Sequence, residues 1–101
     1  MKANEFVKKF GLDTAKNVIN INNGFLYFEV IENTPCYSNH YYADCNQVLL
    51  KDLKRLVESH ELVEACGGID VVKRHLKEGN VFRFEEKPLM RQTIADVESY
   101  Q

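Results

Sequence analysis

The chain contains no tryptophan, no Cys-x-x-Cys pair, no long uninterrupted apolar run and no large excess of either charge. Each absence excludes something. Without tryptophan, the interior must be filled by the six phenylalanines and five tyrosines together with aliphatic side chains. The longest apolar stretches, 25–31 and 48–50, are interrupted and far short of the ~20 residues that span a bilayer, so no membrane partner is expected. Met1-Lys2-Ala3-Asn4-Glu5-Phe6, followed by Lys8 and Lys9, lacks the apolar core of a signal peptide, which points to the cytoplasm. Three cysteines, Cys36, Cys45 and Cys66, are an odd number without an export signal and are expected as reduced thiols. Thirteen basic and fifteen acidic residues leave a net charge of -2, which works against strong non-specific nucleic-acid binding because phosphate neutralisation supplies that affinity.

With 101 residues and 45% hydrophobic content, the chain suits one domain, 1–101, with a core of its own. The strongest pattern lies in 48–78. Leu49, Leu53, Leu56 and Val57, and then Ile69, Val72 and Leu76, recur at the spacing of one buried helical face, broken by Gly67-Gly68. This predicts a helix over 48–59, a short one capped by Ser59 over 61–66, and a third running to Glu78, closed by Gly79-Asn80. Near the start, Asn4 can cap a helix bearing Phe6, Val7 and Phe10 that ends at Gly11, and Asp13 can cap a second over 14–20. Asn23-Gly24 is also a hairpin signal, so helix and strand compete for 17–22. Aromatic and β-branched residues at 25–31 predict a strand. Residues 32–46 read as a loop with a second short strand at 41–43, and 81–85 alternates like a third strand. Pro88 suits the first turn of a final helix with Met90, Ile94 and Val97 inward. The expected fold class is α+β, a mainly helical single domain with a small antiparallel sheet.

Several groups could carry chemistry. Cys36, His40 and Cys45 put three soft ligands in one loop, with Cys66, His60 or His75 as a fourth, but the spacing does not match the paired ligands of a structural zinc site; loop and core cysteines are the simpler expectation. Cys36 or Cys45 with His40 and Asp44 contains the residue types of a thiol nucleophile, its base and an orienting acid, without any recognised local signature. Glu85-Glu86 lies in a charge-mixed stretch where solvation is the expected role. Gly67-Gly68 lacks the spacing of a phosphate-binding loop and is explained by a helix stop. The expectation is no enzymatic activity, no metal and no cofactor.

Two binding readings follow. Tyr37, His40, Tyr41 and Tyr42 concentrate amphipathic aromatic side chains in one loop, the composition of an interface, although the same rings could instead fill a small core. Lys73, Arg74 and Lys77, with His75 between them, lie on the second helix of a pair around Gly67-Gly68, the layout of a helix-turn-helix. The mixed charge of this stretch, with Glu58, Glu61, Glu64 and Glu78 close in sequence, would equally suit a solvated surface.

Ala3-Asn4-Glu5-Phe6-Val7-Lys8-Lys9-Phe10-Gly11, the block from Asp52 to Val63, Gly67-Gly68 and Ile94-Ala95-Asp96-Val97-Glu98 together resemble small uncharacterised proteins of lambdoid phages and enterobacterial prophages. Residues from about Ile21 to Gln47 depart from that pattern. The resemblance implies a bacterial host cytoplasm and an accessory role toward a host or phage macromolecule, and it brings no established activity. The expectation is therefore a protein-binding accessory module, with a DNA-binding regulator as the alternative.

Overall fold

A computed structural model of the chain describes residues 1–79 and 82–101. Among the described residues the element order is α1 (Ala3–Phe10), α2 (Leu12–Ile21), β1 (Tyr27–Ile31), β2 (Thr34–Ser38), β3 (Val48–Leu49), α3 (Leu50–Ala65), α4 (Ile69–Glu78) and α5 (Lys87–Glu98). The strands form one antiparallel sheet in the order β2-β1-β3. This is the mainly helical α+β class that the hydrophobic periodicity predicts. Two compact units divide within α3, the first covering Met1–Val57 and the second Glu58–Gln101.

In the first unit, Gly11 separates two helices. Its φ of 89° is open to glycine and strained for other residues, and its N–H bonds to the Val7 carbonyl at 2.9 Å. Two expected caps are corrected here. The Phe6 N–H already reaches the Lys2 carbonyl, so α1 starts before Asn4, and the Ala15 N–H reaches the Gly11 carbonyl, so Asp13 sits inside the first turn of α2. Asp13 still favours the helix there through its charge. Phe6, Val7, Ala15, Val18, Phe28, Val48, Leu50, Leu53, Leu56 and Val57 are buried. The Phe6 ring meets Phe10 at 4.7 Å and Phe28 at 5.8 Å.

The contest over 17–22 goes to the helix, since α2 runs to Ile21. Asn22 then closes the chain reversal with its side chain, accepting the Phe25 N–H at 3.0 Å and donating to the Phe25 carbonyl at 3.1 Å. The hairpin lies one step later. Ile31 pairs with Thr34 across Glu32-Asn33, whose φ values of 51° and 64° give the doubly left-handed turn that a two-residue hairpin uses. The second strand is therefore Thr34–Ser38 rather than 41–43, which is irregular. Pro35 is tolerated because β2 is an edge strand. Val48 and Leu49 form a strand paired with Phe28 and Tyr27, so the expected helix begins at Leu50.

In the second unit, Val63, Val72, Met90, Ile94 and Val97 form the core, with Leu62, Cys66, Ile69, Leu76, Phe82 and Tyr100 packed against it. Helix α3 runs through Ser59, which is no cap: its buried hydroxyl donates to Asp96 Oδ2 at 2.8 Å, so nothing interrupts the backbone ladder. Gly67 and Gly68, with φ of 101° and 107°, stop that helix, and the Gly68 N–H returns to the Val63 carbonyl at 2.9 Å. Gly79 closes α4 in the left-handed conformation, while Asn80 lies outside the described residues. The strand expected over 81–85 is absent at residues 82–85; the Glu86 N–H bonds to the Arg83 carbonyl in a turn leading into α5, and Val81 lies outside the described residues. Helix α5 carries Pro88 in its first turn and buries Met90, Ile94 and Val97, as the spacing predicts. Among the described residues no helix is long and apolar enough to cross a membrane.

Candidate binding surface

The aromatic loop separates into packed and displayed residues. Tyr37, on β2, is packed: its hydroxyl donates to the Val18 carbonyl at 2.7 Å and its ring lies 4.9 Å from Phe28 and 5.8 Å from Phe25. Partial burial raises its pKa above the ordinary 10.0. Tyr41 and Tyr42 are displayed, 66% and 50% exposed. The Tyr41 ring rests 5.8 Å from that of Tyr27, and the exposed His40 ring lies 6.4 Å from Tyr42.

Buried Gln47 determines the shape of this loop. Its side chain accepts the Tyr42 N–H at 2.8 Å and donates to the His40 carbonyl at 2.9 Å, clamping both ends of the tripeptide that carries the exposed rings. Its own carbonyl accepts the Met1 amino group at 2.8 Å. Further bonds hold the flanks: the Leu26 N–H to Asn39 Oδ1 at 3.1 Å, the His40 N–H to Ser38 Oγ at 3.0 Å, and the Asn46 N–H to the Glu29 carboxylate. Beside Tyr41 an open groove of about 640 Å³ is lined by Tyr27, Asn46, Gln47, Leu49 and the start of α1. Sequence reasoning missed Gln47, Asn39 and Glu29. A glutamine before an apolar run reads as surface, and no periodicity marks a polar side chain that folds back onto its own loop.

The structure does not bring the soft ligands together. Cys36 is half-buried on β2, Cys45 is exposed in the loop, and Cys66 follows α3 in the second unit. Among the described residues no three His, Cys, Asp or Glu side chains are grouped as metal ligands. The Cys45 thiol is pushed above its ordinary 9.0, first by desolvation and then by the negative charges of Glu29 and Asp44. An activated nucleophile needs the opposite shift, so Asp44 opposes thiolate formation there.

The second unit holds a polar cluster that the sequence did not reveal. Asp96 accepts hydrogen bonds from Ser59 and, at 3.1 Å, from Gln92, while His60 Nδ1 lies 3.1 Å from the Tyr100 hydroxyl. Serine, histidine and aspartate are all present, but the serine donates directly to the acid and the histidine bonds to a tyrosine. The serine–histidine bond of a catalytic triad is not formed among the described residues, and the arrangement reads as core bracing. On α4, Lys73 pairs with Glu98 at 3.3 Å, Arg74 and Lys77 are exposed, and the His75 ring meets Phe82 at 6.1 Å.

No protein-family model matches the chain, and no curated protein or solved structure does so.

Proposed function

We propose that the chain is a non-enzymatic accessory module of phage or prophage type that binds a host or phage protein in the bacterial cytoplasm through His40, Tyr41 and Tyr42. The observation that carries this reading is the pairing of exposed tyrosine rings with a clamped backbone. Two tyrosines in water on a loop already fixed by Gln47 offer apolar area and hydroxyl groups with little left to order on association. Tyr37, expected with them, is half-buried and bonded to the Val18 carbonyl, so the proposal rests on the three displayed residues. The phage context rests on the resemblance of the first helix, the centre of α3 and the end of α5 to small proteins of that origin. Replacing Tyr41 and Tyr42 together by alanine should abolish co-purification with the partner while leaving the melting temperature unchanged; loss of fold would identify the rings as core instead.

DNA binding through Lys73, Arg74 and Lys77 is the second reading, supported by the exposure of these cations along one helix that follows a glycine turn. It is the weaker one. Lys73 is engaged by Glu98, and acidic residues outnumber basic ones nine to six in the second unit. Retention on duplex DNA at low salt would favour it, and its absence would remove it.

A further inference from the structure

We propose that Asn23 is a site of spontaneous covalent modification, losing its side-chain amide through attack by the backbone nitrogen of Gly24. Asn23-Gly24 is the hairpin signal that the fold leaves unused, because the two-residue hairpin turn falls on Glu32-Asn33. The pair instead forms the exposed middle of the reversal between α2 and β1. Both ends of that reversal are held: the Asn22 N–H reaches the Val18 carbonyl at 3.2 Å, and the Asn22 side chain grips the N–H and the carbonyl of Phe25. Its middle is open. Among the described residues the Gly24 N–H makes no hydrogen bond, and a Cβ added at Gly24 would meet nothing within 4 Å. That nitrogen is free to lose its proton, and the missing Cβ leaves its approach to the neighbouring side chain unobstructed. Of the nine asparagines in the chain, Asn23 alone precedes glycine. Asn17 and Asn20 lie within α2, where the next N–H belongs to the helix ladder, and Asn39 is followed by an N–H that donates to Ser38 Oγ.

The chemistry needs only water and base, and asparagine is among the thermolabile residue types. Hydroxide removes the Gly24 amide proton, the nitrogen bonds to Asn23 Cγ, the bond from Cγ to the side-chain nitrogen breaks, and that nitrogen leaves as ammonia after taking a proton from water. A cyclic imide remains. Water then adds at Cγ, which breaks the new bond and leaves aspartate, or at the backbone carbonyl carbon of Asn23, which breaks the original peptide bond and leaves isoaspartate. No electrons are transferred. Either product carries a carboxylate, ionised at neutral pH, where a neutral amide stood. The isoaspartate route also sends the main chain through Cβ, adding a methylene between Asn22 and Phe25. The hydrogen bonds of 3.0 and 3.1 Å that join those two residues fit the shorter path, so isoaspartate releases the turn. The turn adjoins the tyrosine loop through the Leu26 N–H bond to Asn39, which places the new charge beside that surface.

The test is ageing of the intact purified protein at neutral and at mildly alkaline pH, followed by peptide mapping in the mass spectrometer and enzymatic methyl labelling of isoaspartate. The peptide containing Asn23 should gain the mass of an amide turned into an acid and take up label, faster at the higher pH because the attacking nitrogen must lose its proton. Fragment spectra should place the change at Asn23 and leave Asn17, Asn20 and Asn39 as amides. A synthetic peptide of residues 19–28, aged alongside, gives the rate of the unrestrained sequence, and the folded protein should keep pace with it. Asn23→Gln keeps a neutral amide on a longer arm and should abolish the label with the melting temperature unchanged. In the isoaspartyl fraction, hydrogen exchange at the Phe25 N–H should accelerate relative to fresh protein. Retention of the amide at Asn23 while the synthetic peptide converts, earlier change at another asparagine, or label that persists in Asn23→Gln would each overturn the proposal. Unchanged exchange at Phe25 in the isoaspartyl fraction would overturn the release of the turn.

Discussion

The two units treat large apolar side chains differently. Met1–Val57 leaves Ile21, Phe25, Leu26, Val30, Ile31, Tyr41 and Tyr42 exposed, whereas Glu58–Gln101 exposes Phe84 and Leu89, both in or near the turn that leads into α5. Their interiors differ too. Gln47 is the buried polar residue of the first unit, clamping a loop, while Ser59, Thr93 and Asp96 are buried in the second. Exposed apolar area brings no folding stability, and its concentration around a small sheet is what the proposed contact surface draws on. The second unit has satisfied polar groups inside and an excess of acidic residues, nine against six basic ones. The comparison can be broken by mutations that separate stability from binding.

The largest expected effect contrasts two leucines of the first unit. Leu53 is fully buried and Leu26 is 54% exposed. Leu53→Ala should lower unfolding stability by about 2–5 kcal/mol in chemical denaturation, through lost transfer energy and a residual cavity. Leu26→Ala should change it by less than about 0.5 kcal/mol. A large loss at Leu26 would make its side chain part of the core and remove the contrast between the two leucines.

Next comes the polar interior of the second unit. Ser59→Ala withdraws a buried donor from Asp96 and should cost about 1.5–3 kcal/mol, the range for hydrogen bonds to charged groups. The check is a lower denaturation midpoint with an unchanged slope. A neutral result would mean that Gln92 and the remaining contacts of Asp96 satisfy the carboxylate without the serine. By contrast, Tyr41→Ala with Tyr42→Ala should stay within about 0.5 kcal/mol of the parent while removing partner binding.

Alkaline titration gives a smaller effect that samples both units. Burial raises the pKa of Tyr37 in the first unit, and burial followed by the charges of Glu64 and Asp96 raises that of Tyr100 in the second, both from an ordinary value of 10.0. With the folded pKa above the unfolded one, the folded state keeps its protons longer. The stabilisation is therefore complete below about pH 10 and is lost as pH rises from there through the folded-state values. Ultraviolet titration of the phenolate band should show Tyr37 and Tyr100 ionising late, and Tyr100→Phe should flatten the decline in stability above pH 10. An unchanged slope would mean that Tyr100 is as well solvated as the displayed tyrosines.

Much of this fold was legible because helices announce themselves through spacing and glycine stops. The inward positions of α4 and α5, Gly67-Gly68, Gly79 and Pro88 all act locally, within one or two turns. What escaped the sequence depended on distant partners or on unfavourable local choices. The hairpin turn falls on Glu32, a residue with no preference for positive φ, so it was hidden beside the more obvious Asn23-Gly24. Ser59 looked like a cap because its acceptor, Asp96, lies 37 residues away. The tyrosine loop was visible as composition, but the split between packed Tyr37 and displayed Tyr41 and Tyr42 required Val18, Phe28 and Gln47 to be in place.

The smallest expected effect concerns Lys73 and bears on which unit makes contact. Its ion pair with Glu98 spans 3.3 Å between side chains that are 46% and 49% exposed, so water and salt screen most of the attraction. Pairs of this kind contribute about 0–1 kcal/mol, and Lys73→Ala should move the melting temperature little at physiological salt. The same substitution combined with Arg74→Ala removes two of the three cations that would face a phosphate backbone. If the second unit is a support, this double variant keeps both its fold and its partner binding. If instead the parent protein is retained on duplex DNA at low salt, and the variant elutes earlier with a shallower salt dependence, the cations of α4 carry the function and the displayed rings of the first unit do not.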